Sequence, residues 1–235
     1  MPRFGLRLTL AVVVALCAGA LFAALTLLVE AAFPPLWQLD RETAYGMHAV
    51  ATANPELTRW MLTWTDVFGP WPWRLAVIAV AAWLAWQGAS RPAVWAMVTI
   101  TAGGVLGLLL KIVVGRIRPE LPDPVSTAPG EAFPSGHALT ATLGAGVLVL
   151  LLLPRLRGAG KVLAWGIAAF LAVSVAATRV ALGVHWVSDA VGGVLLGLLV
   201  IAATTAAFEG WRRDMGKEPA EPLVEGVEPE VARRA

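Results

Sequence analysis

The chain has 235 residues, of which 58% are hydrophobic and only 14% charged, and its mean hydropathy is +0.72. That composition excludes an ordinary soluble domain and points to a multi-spanning membrane protein. The formal net charge is +2, yet the basic residues sit at segment ends and in short loops with no single basic run, so no nucleic-acid partner is expected.

Arg3 and Arg7 precede an apolar stretch over residues 8–29. At ~1.5 Å per residue it can cross a ~30 Å hydrocarbon core. The apolar core of a signal peptide is shorter, roughly 7–15 residues, so this stretch reads as an uncleaved first helix. It carries Cys17, the only cysteine, which rules out an intramolecular disulfide and argues against a structural zinc site. Residues 30–59 are polar by comparison, with Pro34, Pro35, Asp40, Arg41, Glu42, His48, Asn54 and Pro55, and predict short interfacial helices. His48 lacks a partner motif and reads as a loop residue. Trp60, Trp64, Trp71 and Trp73 crowd the start of a second span, residues 72–86, where aromatic rings anchor helices at headgroup level.

A turn at Ser90, Arg91 and Pro92 leads into a third span, 93–114, whose Gly103, Gly104 and Gly107 suit close helix packing. Residues 115–134 contain five prolines and cannot form a membrane helix. A fourth apolar run covers 135–153, a basic turn with Arg155, Arg157 and Lys161 leads to a fifth over 162–180, and a sixth covers 187–208. From Asp214 onward the chain is rich in Glu and Pro. The expected organisation is a membrane domain over residues 1–213 and a disordered cytoplasmic tail over 214–235. In a six-helix arrangement Arg3, Arg7, Arg91, the 155–161 turn, Arg212, Arg213 and Lys217 all fall on one side, which marks that side as cytoplasmic and leaves both termini there.

Three short motifs gather on the opposite side. In K-I-V-V-G-R-I-R-P, residues 111–119, Lys111 and Arg118 are seven residues apart, about two helical turns. Two cations there could bind a phosphate, and a basic cluster at a helix end also serves as a membrane anchor. F-P-S-G-H, residues 133–137, opens the fourth run with good helix-start residues, and Gly136 lets the backbone come close to an anion. His137 then lies at the edge of that anion site. In T-R-V-A-L-G-V-H-W-V-S-D, residues 178–189, His185 and Asp189 are spaced so that the carboxylate can hold one imidazole nitrogen while the other faces a reacting atom. A bend near Gly183 is needed to bring Arg179 to the same place. Alone, this third motif could also be a buried ion-pair network or a proton relay.

Taken in order, Lys-x6-Arg-Pro, Pro-Ser-Gly-His and Arg-x5-His-x3-Asp resemble the type 2 phosphatidic acid phosphatase family, whose motifs are shared with soluble vanadium haloperoxidases. One departure is Thr178, where the family usually has Ser; the hydroxyl donor is kept. The resemblance implies an all-α bundle of six transmembrane helices with its site at the extracytoplasmic ends of helices 3 to 6. It implies that His185 attacks phosphorus, that Asp189 fixes the imidazole tautomer, and that His137 protonates the leaving oxygen. Lys111, Arg118 and Arg179 would hold the phosphoryl oxygens with Ser135 and the Gly136 N–H. No metal and no cofactor is implied, and such a site suits phosphoryl transfer, which needs positioning and charge neutralisation above all.

The function expected is that of a lipid phosphatase of the bacterial plasma membrane, facing outward, with a lipid phosphate as substrate and the bilayer as its surroundings. It would cleave a monoester or diphosphate through a phosphohistidine. Undecaprenyl diphosphate is the favoured substrate, with phosphatidylglycerol phosphate and phosphatidic acid as others. A phosphotransferase of the same family is the nearest alternative. A transporter using Arg179, His185 and Asp189 as an ion path is a further one, but it leaves Lys111, Arg118 and the Pro-Ser-Gly-His start without a role.

Overall fold

A computed structural model describes residues 4–218 and 222–230, with side chains from residue 10 onward except at 223. Arg3 and the Arg7 side chain, which entered the orientation argument, lie outside the described residues. The helices are α1 Phe4–Glu30, α2 Pro34–Ala53, α3 Pro55–Val67, α4 Pro70–Trp86, α5 Ser90–Val114, α6 Gly136–Leu152, α7 Ala159–Ala181, α8 Val187–Asp214 and α9 Pro222–Glu225. No strand occurs among the described residues. Among the described residues six segments are long and apolar enough to cross a membrane, so the fold is the all-α six-span bundle expected.

Proline starts α2, α3 and α4, where its fixed φ fits the first turn and its missing N–H costs nothing. The second crossing differs from expectation. It comprises residues 55–86 and is built from α3 and α4 in succession, interrupted at Phe68 and Gly69.

Helix α6 is the centre of the bundle, packed by α4, α5, α7 and α8, and it is buried on almost every side. Beyond His137 in its first turn, its sequence is apolar or small all round, as an enclosed helix requires. The outer helices turn side chains such as Leu16, Val113 and Val162 outward, toward where lipid tails would lie. Because lipid is as apolar as leucine, helices in a membrane associate through close packing. A Cβ on Gly103 would lie 2.3 Å from Leu143 and one on Gly107 2.6 Å from Leu139, whereas Gly104 has only Arg74, at 3.8 Å. Two of the three glycines of α5 therefore permit its contact with α6.

The tryptophans divide. Trp60 and Trp71 are exposed, consistent with headgroup anchors. Trp64 donates to Ser174 Oγ at 3.1 Å, and Trp73 is core, seated over the bare Gly144 of α6. The burial of Trp73 follows from the missing side chain opposite it.

The tail also departs from expectation. Residues 222–230 form α9 and an anchored turn: Val227 is buried, its N–H donates to Leu150 O at 3.3 Å, and Glu230 accepts two bonds from Arg212 at 2.8 and 3.0 Å. Those bonds hold the Glu230 carboxyl below its usual range. The disorder expected for 214–235 is thus corrected for this stretch, since one apolar side chain and a buried arginine anchor an otherwise acidic segment. Residues 219–221 and 231–235 lie outside the described residues.

Candidate active site

Connectivity brings the three motifs to one end of the bundle. The 115–135 loop joins the end of α5 to the start of α6, and the turn at 182–186 joins the end of α7 to the start of α8. The opposite end collects Arg91, Arg155, Arg157, Lys161, Arg212, Arg213 and Lys217. Gly183 makes the α7–α8 turn with φ +70°, a conformation open to glycine and strained for most other residues. Val184 and His185 donate their N–H groups to Arg179 O, both at 3.2 Å.

Lys111 and Arg118 converge by a different route from the one their spacing suggested. Helix α5 ends at Val114, and Gly115 adopts a left-handed conformation with φ +59°, so Arg118 lies on the loop instead of two turns further along a helix. Both cations donate to the same acceptor, Glu131 O, Arg118 at 3.1 Å. The guanidinium also donates to Gly130 O at 2.8 Å and to Val184 O at 2.6 Å. Partial burial lowers the Arg118 pKa from its ordinary value, against the pull of Asp189 and Glu131.

His185 is buried. Its Nδ1 lies 3.4 Å from Asp189 Oδ2 and its Nε2 lies 3.1 Å from an Arg118 N–H. With a carboxylate on one side and a donor on the other, Nδ1 carries the proton and Nε2 presents its lone pair. Burial lowers the His185 pKa to about 4; Asp189 opposes the shift, while Arg118 and Lys111 add to it. The imidazole is therefore neutral near pH 7. Asp189 stands in the first turn of α8, and its Oδ2 also accepts the Trp186 N–H at 2.8 Å, which caps the helix and holds the carboxylate in place.

Ser135 precedes α6, and its N–H donates to Asp189 O at 3.0 Å. The contact requires a glycine on α8: a Cβ on Gly193 would stand 2.5 Å from Ser135 O. Around Gly136 the space is open, with nothing within 4 Å of the position a Cβ would take. The His137 imidazole lies within electrostatic reach of Arg179, His185, Arg118 and Lys111. Arg179 reaches Thr65 Oγ1 of α3 at 3.4 Å. Two buried polar atoms here, Ser135 Oγ and Arg179 Nε, have no hydrogen-bond partner among the described residues. An orphaned donor in a buried setting costs about 1–3 kcal/mol unless something else satisfies it. All eight residues expected from the sequence thus belong to one region.

Sequence reasoning missed two others. Arg116, inside the first motif, donates to Asp189 Oδ1 at 2.6 Å and to Asp40 Oδ2 at 2.8 Å. Asp40 of α2 accepts from the Ser188 N–H and hydroxyl at 2.9 and 2.5 Å. The available signal was an arginine two residues past an apolar helix end, beside the motif cation already chosen. His48 was read as a loop residue, but it is a buried part of α2 that binds Pro122 O through Nε2 at 2.7 Å.

The fold and the site define an integral membrane protein with two histidines, a buried carboxylate and a set of cations at one end of a helical bundle. Residues 92–213 match the PAP2 superfamily, and the chain belongs to it. It is 37% identical over 98 residues to phosphatidylglycerophosphatase B of Bacillus subtilis (strain 168), covering 41% of this chain and 48% of that relative. It is likewise 37% identical over 100 residues to an undecaprenyl-diphosphatase of Sulfolobus acidocaldarius, covering 40% and 44%. The matched region thus spans about half the length of these curated relatives or less. The crystal structure of a transmembrane PAP2 type phosphatidylglycerolphosphate phosphatase from Bacillus subtilis superimposes with a TM-score of 0.73 at 24% identity, covering 86% of this chain and 96% of that one. This likeness establishes the shared fold.

Proposed function

We propose that the protein is a lipid phosphatase that hydrolyses a phosphate monoester or the terminal anhydride bond of a lipid diphosphate, releasing one inorganic phosphate by way of a phosphohistidine. The observation that carries this reading is the pair of orphaned buried groups, Ser135 Oγ and Arg179 Nε, beside open space at Gly136 and near two histidines. A phosphoryl group would supply acceptor oxygens for Arg179, Lys111, Arg118, Ser135 Oγ and the Gly136 N–H, and the helix dipole of α6 would favour its charge.

The His185 Nε2 lone pair attacks phosphorus, the bond to the leaving oxygen breaks, and His137 delivers a proton to that oxygen. Asp189 retains Nδ1–H and balances the ring's positive charge. In the second half, His137 takes a proton from water, the water oxygen attacks phosphorus, and the P–N electron pair returns to Nε2 as inorganic phosphate leaves. The cations neutralise the equatorial oxygens throughout, so turnover is expected to persist in EDTA. The site lies at the end of the bundle away from the basic loops, which the positive-inside rule assigns to the exterior.

Undecaprenyl diphosphate remains the favoured substrate, and one relative is named for that activity. Another is named for phosphatidylglycerophosphate, so a panel decides. The test measures inorganic phosphate released by the purified protein from undecaprenyl diphosphate, phosphatidylglycerophosphate and phosphatidic acid in mixed micelles, beside His185→Ala. Turnover of at least one lipid, lost in the variant, is expected. A folded protein that releases phosphate from none of them, or a variant that keeps the rate, overturns the proposal.

A further inference from the structure

We propose that Asp40 and Arg116 are positioning residues of the His185 reaction, acting through Asp189 to fix the carboxylate and set the charge behind the nucleophile. The inference rests on the reading of His185 given above. Its basis is a continuous buried chain of groups. Asp40 is fully buried on α2, 76 residues from Arg116. Arg116 divides its fork: Nη2 binds Asp40 at 2.8 Å, while Nη1 binds Asp189 Oδ1 and Ser188 Oγ, both at 2.6 Å. Ser188 closes the circuit, since its N–H and hydroxyl both donate to Asp40. The guanidinium also stands over the Trp186 ring, 5.7 Å from its centroid, and Trp186 is locked by its indole N–H on Ile117 O at 2.9 Å.

This arrangement has two chemical consequences. Arg116 occupies Oδ1 of Asp189, so only Oδ2 remains to accept from His185 Nδ1, and the carboxylate cannot rotate. Asp40, Arg116 and Asp189 together carry one net negative charge. That charge matches the single positive charge the imidazole ring gains once Nε2 is bonded to phosphorus. With Asp40 neutral, Arg116 would cancel Asp189 and the phosphorylated ring would lose its counterion. A buried ionic triad is a weak source of stability compared with apolar packing, so clamping α2 to α8 is not sufficient reason for it. The other charged groups acting on His185 are Lys111 and Arg118, and the His137 ring is within electrostatic reach of it.

The experiment compares Asp40→Asn, Arg116→Gln, Arg116→Lys and the double variant Asp40→Asn/Arg116→Gln in the full-length purified protein. Phosphate release is followed from undecaprenyl diphosphate, phosphatidylglycerophosphate and phosphatidic acid, and thermal unfolding is recorded beside it. Asp40→Asn preserves shape and is expected to lower kcat about 10- to 100-fold, the scale of outer-shell partners elsewhere, while KM stays within about two-fold. The double variant restores the net charge of the wild type and is expected to recover most of that loss, even where its unfolding temperature is lower. Arg116→Lys is expected to outperform Arg116→Gln, and that pair carries the test if Asp40→Asn does not fold. A wild-type kcat in Asp40→Asn, a double variant no faster than Asp40→Asn, or equal loss in the two Arg116 variants overturns the inference. His185→Ala separates the two levels: activity there sinks the nucleophile reading, whereas an inactive His185→Ala beside an undiminished Asp40→Asn sinks only the role of Asp40 and Arg116.

Discussion

Arg118 holds an N–H 3.1 Å from Nε2 of His185, so the nitrogen proposed to attack phosphorus is hydrogen-bonded to a cation proposed to bind the phosphoryl oxygens. Four backbone carbonyls, at 129, 130, 131 and 184, hold the same guanidinium. An ammonium cannot reproduce that fork. Arg118→Lys is therefore expected to lower kcat/KM by about 10² despite keeping the charge, as measured by phosphate release. A value near wild type would mean that charge alone suffices.

The pH dependence has a defined direction. His185 titrates at about 4 in the folded protein, chiefly through burial, against about 6.5 when unfolded. Attack needs the neutral ring, so the acidic limb of kcat/KM is expected nearer pH 4 than 6.5, apart from any limb due to the substrate's own ionisation. The same shift affects stability: above pH 6.5 neither state protonates this residue, and between about 6.5 and 4 only the unfolded state does. Stability from this residue is thus expected to fall as pH drops through that window and then to level, which thermal unfolding across the range would check.

Gly193→Ala tests the contact between α8 and the start of α6. The added Cβ would stand 2.5 Å from Ser135 O, and backbone cannot yield as a flexible side chain does. A loss of about 1–3 kcal/mol in stability is expected, with a fall in kcat because Ser135 and Asp189 are pushed apart. Retained activity and an unchanged unfolding temperature would show that the contact relaxes freely.

The packed tail predicts a separation of stability from activity. Truncation after residue 217 removes Glu230, one of the two carboxylates paired with the buried Arg212, and the buried Val227. Arg212 keeps Glu209 but loses its two hydrogen bonds to Glu230, and an apolar anchor goes with them, so the unfolding temperature is expected to drop. The site lies at the other end of the bundle, so kcat/KM at low temperature should be unchanged. A parallel loss of activity would reveal coupling between the two ends.

Much of the fold was legible because a membrane imposes a simple rule: a segment that crosses must satisfy its own backbone, and only a long apolar helix does so. Five of the crossings agree with the apolar runs to within a few residues, while the second crossing includes α3 as well as α4. Trp73 shows where such reading ends. An aromatic side chain near a span end looks like a headgroup anchor, and only the notch above Gly144 makes it core.

The sequence by itself determined the number of crossings, the end at which the three motifs meet, and the eight residues expected to handle a phosphoryl group. The first two follow from hydropathy and local spacing, which act along the chain, and the eight residues follow from the resemblance of the three motifs, in their order, to a known family. Tertiary structure alone decided that Arg118 reaches His185 from a loop, that residues 222–230 dock on the bundle, and that Asp40 reaches Asp189 through Arg116. These are contacts between residues tens to more than a hundred positions apart, and a charged side chain carries no mark of its partner until packing removes water and leaves one counterion within reach.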